Sequence, residues 1–521
     1  EEKIEAEKLI AEFPDVFALD RSELGCTDMA LHQIPLTSDI PVQASYRRVP
    51  FHLRAECIRE IQELLDAGII QNSTSNYNSP AIILHRKGKT RIVIDFRDLN
   101  SISSRSYCSI PAINTLTAGC FGKSIFSNLD MKDGFLQVAI EPSHRKFTAF
   151  SIPGVGFFEF VRMSLGLQGG PSTFQNLLDR LLANLDPSTA SWYVDDILSS
   201  SETVMGMISN LRTIFQRIRV SGLRFNPGKC SLFKTKIRFL GAYISADGIE
   251  PDSEKCRAII DMSLPRTKRQ VQKFIGAASW FRPHIKDFGS MIKGLTDTLK
   301  GDKFKMTDEA VASIELIKEA LVNPPILCFP SEKHEFVVMT DASLYCIGGT
   351  IGHMIDGTFR PVAYASKILT ETEQRYPSFK REFLALKHFV NFWRYYLLSK
   401  HFTVIVDMKA LTYSSFMKKT NCGVILRWIL SLADYDFSIQ YKEGRLLNLP
   451  DLLSRLPSSS DELYSWWVKR CATPGELYDT SEEMQEFVPE EENVLTQSSV
   501  KNVNLSHLAE SKLPPTFTYS G

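Results

Sequence analysis

None of the ten cysteines forms a Cys-x-x-Cys pair, and no cysteine and histidine group has zinc-ligand spacing, which excludes a zinc ribbon or finger and a two-cysteine redox motif. Reduced, inert thiols are the expectation. No apolar run approaches the roughly 20 residues of a membrane helix. The opening Glu-Glu-Lys-Ile-Glu-Ala-Glu-Lys is the opposite of a signal peptide, so a soluble chain with no membrane partner is expected. Asp-Thr-Gly and Asp-Ser-Gly are both missing, which excludes an aspartic protease of that type, and there is no His-His-Cys-Cys module. An initiator methionine is lacking too. That points to a segment processed from a longer polyprotein, although a trimmed chain would look the same.

Net charge is also absent, with 60 basic and 60 acidic side chains in 521 residues. This balance hides an asymmetry. Residues 1–30 carry 3 basic and 9 acidic side chains and residues 461–521 carry 4 and 11, leaving 53 basic against 40 acidic in between. A central surplus of that sign suits a polyanion binder, and an ordinary soluble surface would also show it.

A chain of this length calls for several domains. Apolar spacing predicts a helix over about 52–67 that ends at Gly68. Strands over 80–85 and 91–95 flank the basic turn Arg86-Lys87-Gly88-Lys89, making a hairpin with a cationic tip. Strands and helices alternate from 126 to 244, residues 253–300 read as helical and basic, and Asn323-Pro324-Pro325 marks a boundary. A second alternating unit has a strand at 336–340, an apolar helix at about 378–396, a strand at 402–406 and an end near Pro457. The polar, acidic tail reads as a flexible linker.

Two places embed carboxylates in apolar strand-like sequence. In Ser127-Asn128-Leu129-Asp130 the acid ends a strand; in Trp192-Tyr193-Val194-Asp195-Asp196-Ile197-Leu198 two adjacent acids sit among apolar neighbours. Burying such acids costs free energy unless a cation neutralises them, so a magnesium site is the economical explanation. Alone, Tyr193-Val194-Asp195-Asp196 could be a polar hairpin turn. Its neighbours change the reading. Leu-Asp-Ala-Gly-Ile-Ile (65–70), Arg91-Ile-Val-Ile-Asp-Phe-Arg-Asp-Leu-Asn100 and the stretches 129–138, 166–175, 222–230 and 239–245 occur in a fixed order around it.

With this motif order, residues 5–457 resemble reverse transcriptases of Gypsy-type LTR retrotransposons. The resemblance implies an α+β chain: a right-hand polymerase of fingers, palm and thumb, then a connection and an α/β ribonuclease H-like domain. It divides the chain into a lead segment (1–44), fingers and palm (45–245), thumb and connection (246–332), ribonuclease H domain (333–457) and tail (458–521). It further implies that Asp130, Asp195 and Asp196 hold two Mg²⁺ ions, and that Arg91 contacts the incoming triphosphate, helped by Lys87 or Lys89. Phe135 matches an aromatic gate against the ribose 2′-hydroxyl, core packing being the alternative. Lys229 matches a proposed general acid, a plain surface lysine being the alternative. Gln168 begins Gln168-Gly169-Gly170-Pro171, which departs from the usual Asn-Ala-Pro at the nucleotide. In the thumb, Lys268, Arg269 and Lys273 share a helix face opposite Val271, Phe274 and Ile275, a face able to track a duplex backbone.

The same resemblance extends to Asp341, Glu382, Asp407 and Asp451, in the order Asp, Glu, Asp, Asp, as the two-metal site of a ribonuclease H. Met408 stands where a histidine commonly follows the third acid, and Pro450 where a small residue is usual. The implied activity is RNA- and DNA-directed DNA synthesis with hydrolysis of RNA in hybrids, Mg²⁺ at both sites and Mn²⁺ able to replace it. Implied partners are an RNA template, a DNA primer, dNTPs and an RNA–DNA hybrid. A second copy of the chain and a protease and integrase encoded elsewhere complete the set. The implied setting is intracellular, a cytoplasmic virus-like particle with later nuclear entry. The alternative is an inactive or host-adopted remnant that binds nucleic acid without catalysis.

Overall fold

The computed structural model describes residues 2–86, 89–104, 108, 111, 113–300, 304–412 and 422–442, the side chains of 86, 89, 113 and 114 excepted. Lys87, the Lys89 side chain, Asp451 and the 458–521 tail lie outside the described residues. Two compact units emerge, one formed by Glu1–Lys255 with Cys328–Ser331, the other by Cys256–Leu327 and the described residues from Glu332 onward. Among the described residues no helix is long and apolar enough to cross a membrane.

The first unit starts with helix α1 (Glu2–Glu12) and strand β1 (Thr27–His32). Helix α2 (Arg54–Asp66) buries Cys57, Ile61 and Leu64 at i, i+4, i+7 spacing, while Ile58, which apolar spacing alone puts on the same face, is exposed and Cys57 takes its place; Gly68 takes φ +62° just after the helix ends. A five-stranded sheet follows from β2 (Ile70–Asn72), β3 (Ser79–Arg86), β4 (Lys89–Ile94), β7 (Phe150–Ile152) and β8 (Gly156–Phe160), in the order β2-β8-β7-β3-β4. The expected hairpin is β3 and β4, with Arg91 opposite Leu84.

A second sheet is made of β5 (Ile125–Asp130), β9 (Ser191–Tyr193), β10 (Asp196–Ser201) and β11 (Ser231–Lys234), in the order β11-β5-β10-β9. Short strand β6 (Val138–Ile140) pairs in parallel with β1. Helices α3 (Gly170–Leu181) and α4 (Val204–Ser221) supply the apolar layer, α3 through Phe174, Leu177 and Leu178 and α4 through Met207, Leu211, Ile214 and Phe215. Thr203 caps α4 by accepting from the Gly206 amide at 3.1 Å, and Gly222 at φ +70° ends it. Antiparallel strands β12 (Lys236–Phe239), β13 (Ala242–Ser245) and β14 (Gly248–Pro251) close the unit.

The lead segment packs into this same core. Phe13 packs tilted and the half-buried Phe17 edge-on against Phe215, at 5.7 and 5.5 Å between centroids, and the Arg219 guanidinium lies 4.2 Å over the Phe13 ring while pairing with Asp15. Each fully buried ring of this kind contributes roughly 1.5–3 kcal/mol.

In the second unit, helix α5 (Lys268–Ser279) buries Val271 and Phe274 and exposes Arg269 and Lys273, as its spacing predicts. It packs with α6 (Asp308–Val322) around Ile314 and Ile317. Strands β15 (Phe336–Ala342), β16 (Cys346–Ile355), β17 (Thr358–Ile368), β18 (His401–Val406) and β19 (Asp436–Tyr441) form a sheet ordered β17-β16-β15-β18-β19. β15 runs antiparallel to β16 and parallel to β18. Helices α7 (Ser378–Phe392) and α8 (Gly423–Ser431) complete it, α7 laying Phe389 against Gly349 of β16.

A segment ahead of this sheet docks on it. Arg282 Nη2 donates to the Ser366 carbonyl, the Gly289 amide donates to Ser366 Oγ at 2.7 Å, and Asp287 Oδ1 sits 2.7 Å from where a Cβ on Gly348 would be. Gly348 pairs with both Asp341 and Ser366, so the segment covers one row of the sheet.

The lead segment and α4 meet at two glycines. A Cβ on Gly25 would lie 1.8 Å from the Gly222 carbonyl oxygen, so backbone must move to admit one. Gly25→Ala should therefore lower unfolding free energy by about 1–3 kcal/mol in urea titration. An unchanged midpoint would show that this approach is not needed.

Candidate active sites

The β5–β10 register builds the first site. Asp196 is the direct cross-strand partner of Asp130 and also pairs with Tyr193 across the hairpin. Between Tyr193 and Asp196 the chain turns sharply, with the β-branched Val194 held at φ +54°. Asp195 is tied down through its carbonyl, which accepts from the Met131 amide at 3.0 Å. Asp130, Asp195 and Asp196 thus come to one end of two paired strands, where all three are half-buried.

Their electrostatics follow from that crowding. Burial, then Asp195 and Asp130, push the Asp196 carboxyl up to about 6. Asp195 is also raised, mainly by burial and then by Asp130. Lys229 is the counter-charge: its Nζ lies 3.2 Å from Asp130 Oδ1, although its hydrogen bond, at 3.4 Å, goes to Oδ2 and leaves the buried Oδ1 without one. A buried, unbonded carboxylate oxygen beside two raised acids fits a bound divalent cation.

The nucleotide candidates lie on neighbouring elements. Phe135 follows Asp130 through a turn in which Asp133 has φ +42°; its ring meets Phe174 at 5.9 Å and lies 3.8 Å from a Cβ built on Gly170. The Gln168 amide donates to Asn100 Oδ1 at 3.0 Å, while Asn100 Nδ2 donates to the Gly166 carbonyl at 2.8 Å, so Asn100 fastens the 166–168 loop. Arg91 is exposed on β4.

One support of the hairpin was not singled out from sequence. Gln175 of α3 is 1% exposed; its Oε1 accepts from the Val194 amide at 2.8 Å and its Nε2 donates to Asp179 at 2.9 Å. Asp179 also accepts from the Trp192 indole at 2.7 Å, so α3 grips both sides of the turn. Its only sequence signal is a polar residue amid Phe174, Leu177 and Leu178.

The second site forms where β15 and β18, parallel neighbours, end side by side. Asp341 belongs to β15, Asp407 follows β18, and Glu382 reaches the same point from α7. Ligand oxygens of the three lie within 4.8 Å of one another. Asp341 is exposed, Asp407 half-buried and Glu382 only 4% exposed. Glu382 Oε1 accepts from the Ala342 amide at 3.2 Å, and its buried Oε2 has no partner. Burial, then Asp407 and Asp341, push its carboxyl up to about 9. Asp407 is raised too, by burial and then by Asp341. A buried acid with an orphaned oxygen and two acidic neighbours again fits a divalent cation. Asp451, the fourth expected acid, lies outside the described residues.

Both folds have counterparts. Residues 78–244 match the family described as reverse transcriptase (RNA-dependent DNA polymerase), and residues 331–435 match the RNase H-like domain found in reverse transcriptase. The chain thus carries a reverse transcriptase domain and an RNase H-like domain. Its sequence relatives are more specific. It is 30% identical over 462 residues to the retrovirus-related Pol polyprotein from transposon 412 of Drosophila melanogaster, covering 87% of this chain and 37% of that one. Against the Pol polyprotein from transposon gypsy of the same organism it is 30% identical over 417 residues, covering 76% and 40%. The chain carries the reverse transcriptase and ribonuclease H-like domains of a retrotransposon Pol polyprotein, and it spans well under half of those relatives. In fold it is similar to the foamy viral protease-reverse transcriptase, solved with dsDNA (TM-score 0.75, 23% identity, 85% of this chain and 94% of that one) and with an RNA/DNA hybrid (0.71, 22%, 88% and 62%).

The raised Glu382 carboxyl makes a testable demand. Between about 4.5 and about 9 the folded chain keeps a proton there that the unfolded chain has lost, so metal-free stability should fall as pH rises through that window. Glu382→Gln should flatten this decline in urea titrations at about pH 6 and about pH 8 in chelator. An equally steep decline in the variant would place its origin elsewhere.

Proposed function

We propose that the chain copies RNA or DNA templates into DNA at Asp130, Asp195 and Asp196, and cleaves the RNA strand of hybrids at Asp341, Glu382 and Asp407. The observation that carries this reading is the pair of separate carboxylate sets, each at the ends of adjacent strands in its own compact unit. The foamy viral protein seen with both dsDNA and an RNA/DNA hybrid supports the substrate class.

Two Mg²⁺ ions per site, or Mn²⁺ in their place, would be held by these acids and would activate the attacking oxygen while neutralising phosphate charge. The protein's own side chains do the rest. Asp196, held opposite Asp130 by strand pairing, keeps the acids converged, and Gln175 prevents the turn from relaxing. Arg91 offers a forked donor to the triphosphate of an incoming dNTP. Phe135 presents a flat apolar ring beside Gly170, which would meet a ribose 2′-hydroxyl with no hydrogen-bond partner. Lys229, already within 3.4 Å of Asp130, is placed to give a proton to departing pyrophosphate. In the nuclease, Glu382 and Asp407 would orient the hydrolytic water, with Asp451 as fourth acid. A protease and integrase from the rest of a parent polyprotein, and a second copy of the chain, are the expected partners.

Primer extension on an RNA template with Mg²⁺ tests the reading, and no product from the unaltered chain would sink it. Asp195→Asn should abolish synthesis and spare hybrid cleavage, and Asp407→Asn should do the reverse; joint loss in either variant would overturn the separation into two sites. Phe135→Val should raise ribonucleotide incorporation relative to dNTP by about 100-fold, measured as the ratio of kcat/KM values.

A further inference from the structure

A cavity of about 550 Å³ in the second unit lies between α7 and α8 and has no part in the chemistry above. That volume is in the range of about 300–1,000 Å³ typical of small-ligand sites. Lys367, Lys387 and Arg427 line it, against one acid, Glu373. Glu373 is already committed: Lys367 donates to it at 2.6 Å, and it accepts from both the Thr370 amide and hydroxyl as part of a helix cap. No acid among the described residues pairs with Lys387 or Arg427. The walls are aromatic. Tyr376 and Trp428 lie 6.2 Å apart between centroids with their planes tilted by 57°, and Lys380 Nζ lies 3.9 Å from the first ring centroid and 5.9 Å from the second. His388 also lines the cavity, held uncharged near neutral pH by burial and then by Lys367 and Lys387, which reflects the positive field there.

Helix geometry separates this cleft from the metal-fitting acids. At about 100° per residue, Lys380, Leu384 and Lys387 project roughly 140–200° away from Glu382 around α7. The cleft is on the far side of the helix whose near side carries Glu382. Cations without an acidic partner beside half-buried aromatic rings together suit phosphates and bases at once. A duplex hides its base faces, and only an unpaired strand can offer them.

We infer that this cleft binds a single-stranded nucleic-acid overhang, with phosphates on Lys387 and Arg427 and a base against Tyr376 or Trp428. The inference rests on the proposed hybrid substrate. A strand leaving the Glu382 side need only round one helix, about 10–12 Å across, to reach the cleft. The site would hold a hybrid by its unpaired tail without competing with the metal cluster.

The test compares the unaltered chain with the Lys387→Glu/Arg427→Glu double variant on two hybrids. One is blunt and the other carries an RNA overhang of about ten nucleotides, within the roughly 4–16 that single-strand grooves accept. By fluorescence anisotropy, the double variant should bind the overhang hybrid about tenfold more weakly and the blunt hybrid within about twofold of the unaltered chain. Blunt-hybrid cleavage should be unchanged, which also reports a folded domain. In the unaltered chain, 4-thiouridine in the overhang should photocrosslink to peptides containing Tyr376 or Trp428. Equal weakening on both hybrids, no weakening on either, or crosslinks confined to other peptides would overturn the inference. Failure to cleave any hybrid would instead sink the proposed function, and the crosslink position would still decide the cleft.

Discussion

Like charges gathered at low dielectric repel, and this repulsion is the constraint on which both sites depend. Each carboxylate set exists because the surrounding fold holds the acids together against it. In the first unit the holding is done by strand register, Asp130 opposite Asp196, and by the Gln175 bond to the Val194 amide. In the second it is done by parallel strand ends and a helix, with Glu382 fixed through one oxygen while the other is left without a partner. Raised carboxyl groups in both places measure the work done by the scaffold. A bound divalent cation would reverse the sign of that work, turning the least comfortable part of each domain into a binding site.

The two sites meet the constraint differently. The acids of the first site have a lysine beside them, so part of their charge is balanced within the protein. In the second site the charge nearest Glu382 that opposes its upward shift is Arg381, whose effect is outweighed by burial, Asp407 and Asp341.

Much of this was legible in the sequence because the relevant signals are local. The α2 helix, the β3–β4 hairpin, the strand ending at Asp130 and the apolar helix around Glu382 follow from spacing that any short window reveals. The order of the acids, carried by resemblance, supplied which of them converge. What stayed hidden depends on contacts between distant residues. Gln175 looks like an ordinary polar position until its side chain is found under a turn 19 residues away. The amphipathic spacing of the lead segment, with Phe13 and Phe17 among its apolar residues, marks a buried face without naming Phe215 as what covers it. The cleft between α7 and α8 is likewise assembled from residues that share no motif.

The docking of Arg282 and Gly289 onto Ser366 has a consequence for how the nuclease half should be thought of. Its family match begins at residue 331, so the covering segment lies wholly upstream of the stretch that defines the domain by descent. A fragment cut at that inherited boundary would leave Ser366 without two of its donors and uncover the sheet row that ends in Asp341. Ancestry and mechanical integrity therefore draw different borders on this chain, and the physical border lies before Arg282.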